Sequence, residues 1–359
     1  MKEIRQILKQ VAGLAHGEKA VLATVVDLKG SGYRLPGARM LIKSNGEATG
    51  TVSGGCLEAD VMERAQRVLA TGVAEVFTYD TTADENSVFG LNMGCRGVMR
   101  ILMEAVGADS DNIAAIRSVY RKREAVCGAV VIRSEIDSLP IGARISYGET
   151  VAELPSLVDD LRTFAESRSN YESATYQVAN SFVELAFERI SPPVQLYIFG
   201  AGVDAVPLSE VAHGLGWEVN VCDHRSAFLT EERFPKCDAL VGLDREVAPK
   251  WDVDDLTAFV LMNHNYDRDK ALLPGALRSK AFYAGALGPK RRTEQMMSEL
   301  GVPFTEDELS RLRAPAGLDI GGETPEAIAV SVVAEILSVL KNRNGGPLRD
   351  RQAPIYDRK

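Results

Sequence analysis

The chain has 359 residues, 45% of them hydrophobic and 25% charged, with 41 basic residues against 50 acidic ones and a net charge of −9. That length allows two ordinary domains with cores of their own, and the composition is that of a soluble globular protein. The acidic balance excludes a general nucleic-acid binder, which carries a basic stripe, and no apolar run reaches the ~18 residues needed to span a bilayer.

The opening stretch MKEIRQILKQVAGLAHGEKA is charged throughout and lacks the apolar segment of a secretory signal. Its Ile4, Leu8 and Val11 recur at helical spacing and predict an amphipathic helix over 3–15. Ala20–Val26 reads as a buried strand. The Gly- and Pro-rich loop Gly30–Gly37 follows. Met40–Lys43 and Glu47–Val52 flank Asn45-Gly46, a strong hairpin signal. Ser53-Gly54-Gly55-Cys56 leads into a helix with Leu57, Val61, Ala65 and Val68 on one face and Gly72 as its stop. Strands at Glu75–Tyr79 and Val98–Glu104 bracket the loop 90–97. Further on, Ala125–Arg133 and Ser181–Glu188 read as strands and Val151–Glu166 as a helix, whereas the polar segment 167–180 is ambiguous.

Ser191-Pro192-Pro193 breaks the pattern and marks the expected domain boundary. Beyond it a strand (Val194–Phe199), a helix (Val203–Leu215) and a strand (Glu218–Cys222) alternate. Apolar runs at Ala239–Gly242, Ala258–Met262 and Phe282–Leu287 continue the pattern. Thr324-Pro325 opens a last helix with Ile328, Val332, Ile336 and Leu340 as its buried stripe. The expected fold is α/β: an N-terminal α+β domain over 1–190, then a Rossmann-like, doubly wound parallel sheet over 191–345. The tail, 346–359, has little to bury and is expected to be mobile or docked on a partner.

Several stretches can carry chemistry. Gly200-Ala201-Gly202-Val203-Asp204-Ala205 fits G-x-G-x-x-G/A, with Gly200 for the tight turn and Gly202 for close approach of a phosphate. Asp223 closes the next strand, where a ribose-binding acid belongs. Such a domain hosts dinucleotides, other ligands or none. Cys56 sits at a predicted helix start among amides of Gly54 and Gly55, a setting that favours thiolate, a soft ligand for a metal or a carrier of sulfur. A small buried cysteine beneath a tight turn is the plainer reading. Cys95, also flanked by glycines, makes a shared site more credible. Arg34 and Arg39 supply guanidinium forks suited to phosphate or to a planar ring edge, and equally to a solvated loop. His264 lies just beyond a strand, where open α/β sheets keep ligands; it suits ligand contact or acid–base work, or caps the next helix. Lys290-Arg291-Arg292 and Arg121-Lys122-Arg123 are local cationic clusters. The five cysteines, Cys56, Cys95, Cys127, Cys222 and Cys237, include no CxxC pair. Neither a zinc knuckle nor a disulfide framework is therefore expected, and the thiols are read as reduced and cytoplasmic. No complete catalytic constellation is present.

Taken together and in order, these residues resemble the XdhC/CoxI family of xanthine dehydrogenase accessory factors. The resemblance rests on Gly32-Tyr33-Arg34-Leu35-Pro36-Gly37-Ala38-Arg39-Met40, on Ser53-Gly54-Gly55-Cys56-Leu57-Glu58 and on Met93-Gly94-Cys95. In the second half it rests on the glycine-rich turn, Asn263-His264-Asn265-Tyr266-Asp267, Tyr283–Arg292 and the run Ala314–Glu326. It departs at Arg96, where a glycine is expected, and at Pro289, where a serine is; Pro289 removes one amide from the basic cluster.

The resemblance implies a cofactor chaperone rather than an enzyme in its own right. It would bind the molybdenum cofactor (molybdopterin), protect it, help in its sulfuration and deliver it to xanthine dehydrogenase or a related molybdenum hydroxylase. A cysteine desulfurase and a second copy of the chain are the implied partners. Cys56 is then the thiolate near molybdenum or sulfur, with Cys95 as second candidate and Gly54 and Gly55 supplying amides. Gly200, Gly202 and Asp223 hold the phosphate and ribose of a nucleotide-like ligand, with His264 and Arg291 beside them. The rival expectation is an NAD(P)-dependent oxidoreductase with His264 as its proton-transfer residue.

Overall fold

The computed structural model describes residues 2–82, 96–167, 169–243, 253–353 and 355. They form two compact units, one from Glu3 to Pro192 and one from Pro193 onward.

The first unit contains α1 (Lys2–Ala12), β1 (Ala20–Gly30), β2 (Arg39–Lys43), β3 (Ala48–Gly50), α2 (Glu58–Thr71), β4 (Glu75–Asp80) and β5 (Gly97–Val106). It continues through α3 (Asp111–Lys122), β6 (Val126–Ser134), β7 (Arg144–Ser146), α4 (Leu157–Ser167), β8 (Tyr171–Val178) and β9 (Ser181–Ile190). Among the described residues the strands form two antiparallel sheets, ordered β3-β2-β1-β5-β4 and β7-β6-β9-β8. Period-two alternation divides their faces. On β1, Val21, Ala23 and Val25 pack with Val61, Ala65 and Val68 of α2. Leu22 faces the other way, toward Ile7 of α1 and Ile113 of α3. On β6, Ala129 and Val131 pack against Leu157 and Leu161 of α4, while Val130 and Ile132 meet Val26 and Leu102 of the first sheet.

Ion pairs reinforce that narrow apolar contact between the sheets. Arg100 on β5 makes two hydrogen bonds of 2.6 Å to Glu184 on β9 and one of 3.0 Å to Asp27 on β1. Arg144 on β7 reaches Glu104 on β5 at 2.6 Å. Arg39 on β2 pairs with Glu188 on β9.

Most expected elements of this unit are present, the Asn45-Gly46 hairpin among them as β2–β3, with Gly46 at φ 85°. Others differ. The helix expected over Val151–Glu166 begins only at Leu157, because Pro155 disfavours the helical conformation of the residue before it, and Val151–Leu154 close a turn instead. The ambiguous polar segment forms β8, an outer strand paired only with β9 in its sheet. Its exposed face accounts for the polar text. Helix α3 was not expected, and it explains one cationic cluster: Arg121 and Lys122 lie in its last turn, with Arg123 as its left-handed C-cap. Cations at that end complement the helix dipole.

The second unit contains β10 (Gln195–Phe199), α5 (Ala205–Gly214), β11 (Glu218–Asp223), β12 (Ala239–Gly242), β13 (Thr257–Leu261) and α6 (Tyr266–Arg278). After them come β14 (Tyr283–Ala286), α7 (Lys290–Leu300), α8 (Glu306–Ser310), β15 (Leu312–Arg313) and α9 (Pro325–Leu340). Among the described residues the strands form one parallel sheet, β12-β11-β10-β13-β14-β15. Counted from β10 this is the order 3-2-1-4-5-6 of a Rossmann fold, which reverses direction between β10 and β13. Both central strands are buried along their whole length, as a sheet covered on two faces requires. Leu196 and Ile198 pack with α5 and α9 on one face, and Phe199 and Phe259 with Leu273 of α6 and Met296 of α7 on the other. Thr324 caps α9 by accepting from the Ala327 amide, and Val332 and Ile336 are fully buried. Just before the tail, Gly345 lies so close to Leu318 that a Cβ there would be 2.9 Å from its side chain, whereas Leu348 and Ile355 of the tail are exposed.

Candidate functional site

In the first unit, the ends of β1, β4 and β5 and the start of α2 enclose a cavity of about 240 Å³. Leu28, Tyr33, Leu57 and Met99 give it apolar walls, and Gly54 and Cys56 lie on its lining. Hydrogen bonds fix its base. The Ser31 amide donates to the Arg96 carbonyl at 2.8 Å and the Arg96 amide to the Ser31 hydroxyl at 2.8 Å. The Thr81 amide donates to the Gly97 carbonyl at 2.9 Å, and the Gly97 amide returns to the Thr81 hydroxyl at 3.0 Å. Gly54 has φ 88°, and a Cβ there would be 2.7 Å from Cε1 of Tyr33, so the turn and the ring require each other. Cys56 is exposed beside them. The plainer reading of Cys56, a buried structural cysteine, does not hold. Cys95 lies outside the described residues.

The amides expected to serve a ligand are engaged within the chain. Helix α2 starts at Glu58, two residues beyond the cysteine, and the Glu58 carboxylate folds back into the turn. It accepts from the amides of Ser53 at 2.9 Å, Gly54 at 3.1 Å, Gly55 at 2.8 Å and Leu57 at 3.2 Å. The hydroxyls of Thr51 and Ser53 also donate to it. Burial acts against this charge, but the Ser53 and Thr51 hydroxyls and the amides outweigh it, and its pKa falls to about 2. Gly54 and Gly55 therefore give their amides to Glu58. Sequence reasoning overlooked this residue, although Glu58 stands in the stretch Ser53–Glu58 that the family resemblance drew on.

The two arginines of the first loop are also committed. Arg34 pairs with Glu3 on α1. Arg39 is 4% exposed and belongs to β2 rather than to the loop; it pairs with Glu188 and donates to the Gly37 carbonyl at 3.2 Å. Arg39 thus serves the contact between sheets, contrary to the expectation of a phosphate-binding fork.

In the second unit the glycine-rich turn joins β10 to α5 beside the switch point. Gly200 has φ 113°, and a Cβ would come within 2.7 Å of the Met262 carbonyl carbon. At Gly202 a Cβ would meet only the His264 ring, at 3.5 Å. Asp223, expected to bind a ribose, has its partners within the chain. It is wholly buried and accepts from the Ala201 amide at 2.7 Å and from the Arg225 side chain at 2.8 and 3.1 Å. Burial opposes its charge, yet Arg225 and the Ala201 amide hold its pKa down at about 2.

A carboxyl whose pKa is lowered by folding adds stability that is complete above its unfolded value of about 3.9 and is lost as the pH falls toward the folded one. Stability of the second unit should therefore drop between about pH 4 and pH 2, and Asp223→Asn should flatten that slope. Hydrogen exchange of the β10 and β11 amides across the range measures it; an unchanged slope in the variant would exclude Asp223 as the source.

His264 has a left-handed backbone, φ 53°, and its ring Nε2 lies 3.1 Å from a carboxylate oxygen of Asp204 at the start of α5. The histidine side chain is 62% exposed, at the carboxyl ends of β10 and β13. It does not cap α6; Asn265 does, accepting from the Arg268 amide. Of the cationic cluster at α7, Arg292 donates to the buried Asp269 at 2.8 Å, Lys290 lies 3.8 Å from Glu294, and Arg291 is exposed. Sequence reasoning did not single out Asp204 or Asp269. Among the described residues no group of three or more His, Cys, Asp or Glu side chains is placed to hold a metal ion.

Comparison with known proteins agrees with this architecture. Residues 196–336 match the model of the XdhC Rossmann domain and residues 14–80 that of the XdhC and CoxI family. A Bacillus subtilis protein described as a probable subunit of xanthine dehydrogenase is 32% identical over 326 residues, covering 90% of this chain and 94% of that one. The molybdenum cofactor insertion chaperone PaoD of Escherichia coli is 24% identical over 340 residues, 93% of this chain and 88% of its own. A crystal structure of a xanthine dehydrogenase from Bacillus halodurans superposes with a TM-score of 0.74 at 25% identity, over 98% of each chain. The glycine-rich turn, the Cys56 loop and the whole-length similarity converge, and the chain belongs to the XdhC and CoxI family.

Proposed function

We propose that this protein is a molybdenum-cofactor chaperone: it binds the cofactor, protects it and delivers it to a xanthine dehydrogenase or a related molybdenum hydroxylase. The observation that carries the reading is the exposed Cys56 thiol on an apolar-walled cavity beside a glycine turn. Thiolates are soft ligands, and an exposed thiol is also a carrier for persulfide sulfur. The relative named as an insertion chaperone matches along most of its length, which supports the same role here.

The residues fit part of such a ligand. Ligand pockets usually span about 300–1,000 Å³, so this cavity takes a portion of the cofactor, held between Tyr33, Met99 and the Cys56 thiol. Bound there, the cofactor would supply a thiophilic metal centre. The chain's own residues would exclude water from it and hold the thiol beside it. A cysteine desulfurase as sulfur donor and a homodimer belong to the same proposal.

The oxidoreductase alternative finds less support. The carboxylate that would take a ribose hydroxyl is buried on Arg225, and Asp204 puts a negative side chain where α5 would otherwise attract a diphosphate. Titration of the purified chain with molybdenum cofactor, with NAD(H) in parallel, tests both readings. Stoichiometric cofactor binding that disappears in a folded Cys56→Ala protein is expected. Unchanged affinity in that variant would remove Cys56 from the mechanism, and binding of NAD(H) alone would overturn the chaperone reading.

A further inference from the structure

We propose that Glu58 is the positioning residue of the Cys56 site, acting as a built-in anion that sets the thiol loop and bars a ligand phosphate from the turn. The inference deepens the Cys56 reading and rests on it for its functional meaning.

Four backbone amides of the turn, those of Ser53, Gly54, Gly55 and Leu57, converge on one carboxylate, an arrangement that ordinarily attracts a phosphate or carboxylate from outside. Here each Glu58 oxygen accepts three donors. Oε1 takes the amides of Ser53 and Gly54 and the Thr51 hydroxyl; Oε2 takes the amides of Gly55 and Leu57 and the Ser53 hydroxyl. The Ser53 hydroxyl also accepts from the Leu57 amide at 2.9 Å, which closes the loop on both sides of Cys56. Ser53, Gly54 and Leu57 line the cavity with the cysteine. Two left-handed glycines, at φ 88° and 117°, are held in that shape although both are exposed.

The consequence concerns which end of a ligand enters. With the amides engaged and a full negative charge behind them, an anionic group gains nothing at this turn. The apolar walls and the thiol then admit an uncharged ring or a soft, sulfur-rich portion, and the phosphate end of such a ligand must be held outside the cavity.

Alkylation of Cys56 by iodoacetamide, read by mass spectrometry on the full-length protein, tests this without any cofactor. In Glu58→Ala the negative charge two residues from the thiol is gone and four amides of its turn lose their acceptor, so the rate should rise about threefold or more. Sodium acetate should enter the vacated turn and return the rate toward that of the parent protein, whereas sodium chloride at equal ionic strength should not. In Glu58→Gln the rate should also rise, because the amide group cannot accept at both positions, but acetate should have no effect because the side chain still fills the turn. A folded Glu58→Ala protein with an unchanged rate, or without response to acetate, overturns the proposal. If that variant does not fold, the Gln variant decides, together with hydrogen exchange in the parent protein: protection of the Gly54 and Gly55 amides supports the proposal, and free exchange overturns it. Loss of cofactor binding in the chaperone titration leaves these outcomes untouched, so the two readings fail separately.

Discussion

Replacing Arg39 with alanine should lower the stability of the first unit by about 3–5 kcal/mol, the usual consequence of leaving a buried charge without its partner. The side chains of Arg39 and Glu188 are 5% and 10% exposed. Burial acts to lower the pKa of the guanidinium, but Glu188 and then Tyr171 outweigh it and raise it. Removing the cation strands the carboxylate between two sheets whose shared apolar contact is small. Urea denaturation of the variant should show a lower midpoint with an unchanged slope. The double variant Arg39→Met/Glu188→Leu should recover most of the loss, since a well-packed apolar pair often replaces a buried ion pair without penalty. Arg34→Ala provides the contrast. Its pair with Glu3 is 29% exposed on each side, and the loss should stay within about 1 kcal/mol. An Arg39→Ala protein as stable as the parent would show that the sheets are joined without this pair.

Gly200→Ala should destabilise the second unit by about 3 kcal/mol or more, whereas Gly202→Ala should remain within about 0.5 kcal/mol of the parent. The two glycines look equivalent in a sequence fingerprint and are not equivalent here. At Gly200 the backbone is left-handed, and an added methyl group would run into the backbone of Met262 and Asn263 on the neighbouring strand end. At Gly202 the same methyl group would make ordinary contact with the His264 imidazole. Thermal unfolding of the two single variants separates them. Equal destabilisation would mean that Gly202 carries a structural load the geometry does not show, while a stable Gly202→Ala protein keeps this position free for a ligand to approach.

The central strands of the second unit were legible because each carries a short apolar run, LYIF after Gln195 and AFVL after Thr257, buried along its whole length. The Asn45-Gly46 hairpin and the Gly72 helix stop were legible because each depends on one residue with a left-handed backbone. Helix α3 was missed because it begins in a polar stretch and buries only one narrow face, Ile113, Ile116 and Val119, with the neighbouring Asn112. Strand β8 was obscured by its exposed side. The candidate site was legible as a set of residue types but not as a set of roles. Cys56 is exposed on a cavity, as a ligand-binding thiol must be. By contrast Arg39, Asp223 and the amides of Gly54 and Gly55 have partners inside the chain, at Glu188, Arg225 and Glu58. Local sequence cannot distinguish a charge that waits for a ligand from one already answered by a residue far along the chain.

The order of strands in the first sheet has a bearing on how the protein is made. Strand β1 is central, with β2 on one edge and β5 on the other. The β2–β3 hairpin can form against β1 as soon as it leaves the ribosome, because those partners are neighbours in the chain. The opposite edge of β1 must wait until synthesis has passed Val106. Until then it presents unpaired peptide groups and the alternating apolar text of Val21, Ala23 and Val25, the kind of edge that recruits a strand from another chain. Newly made protein is thus most vulnerable to aggregation before β5 emerges, and conditions that slow translation between β4 and β5 should lower the yield of soluble protein without altering the stability of molecules already folded.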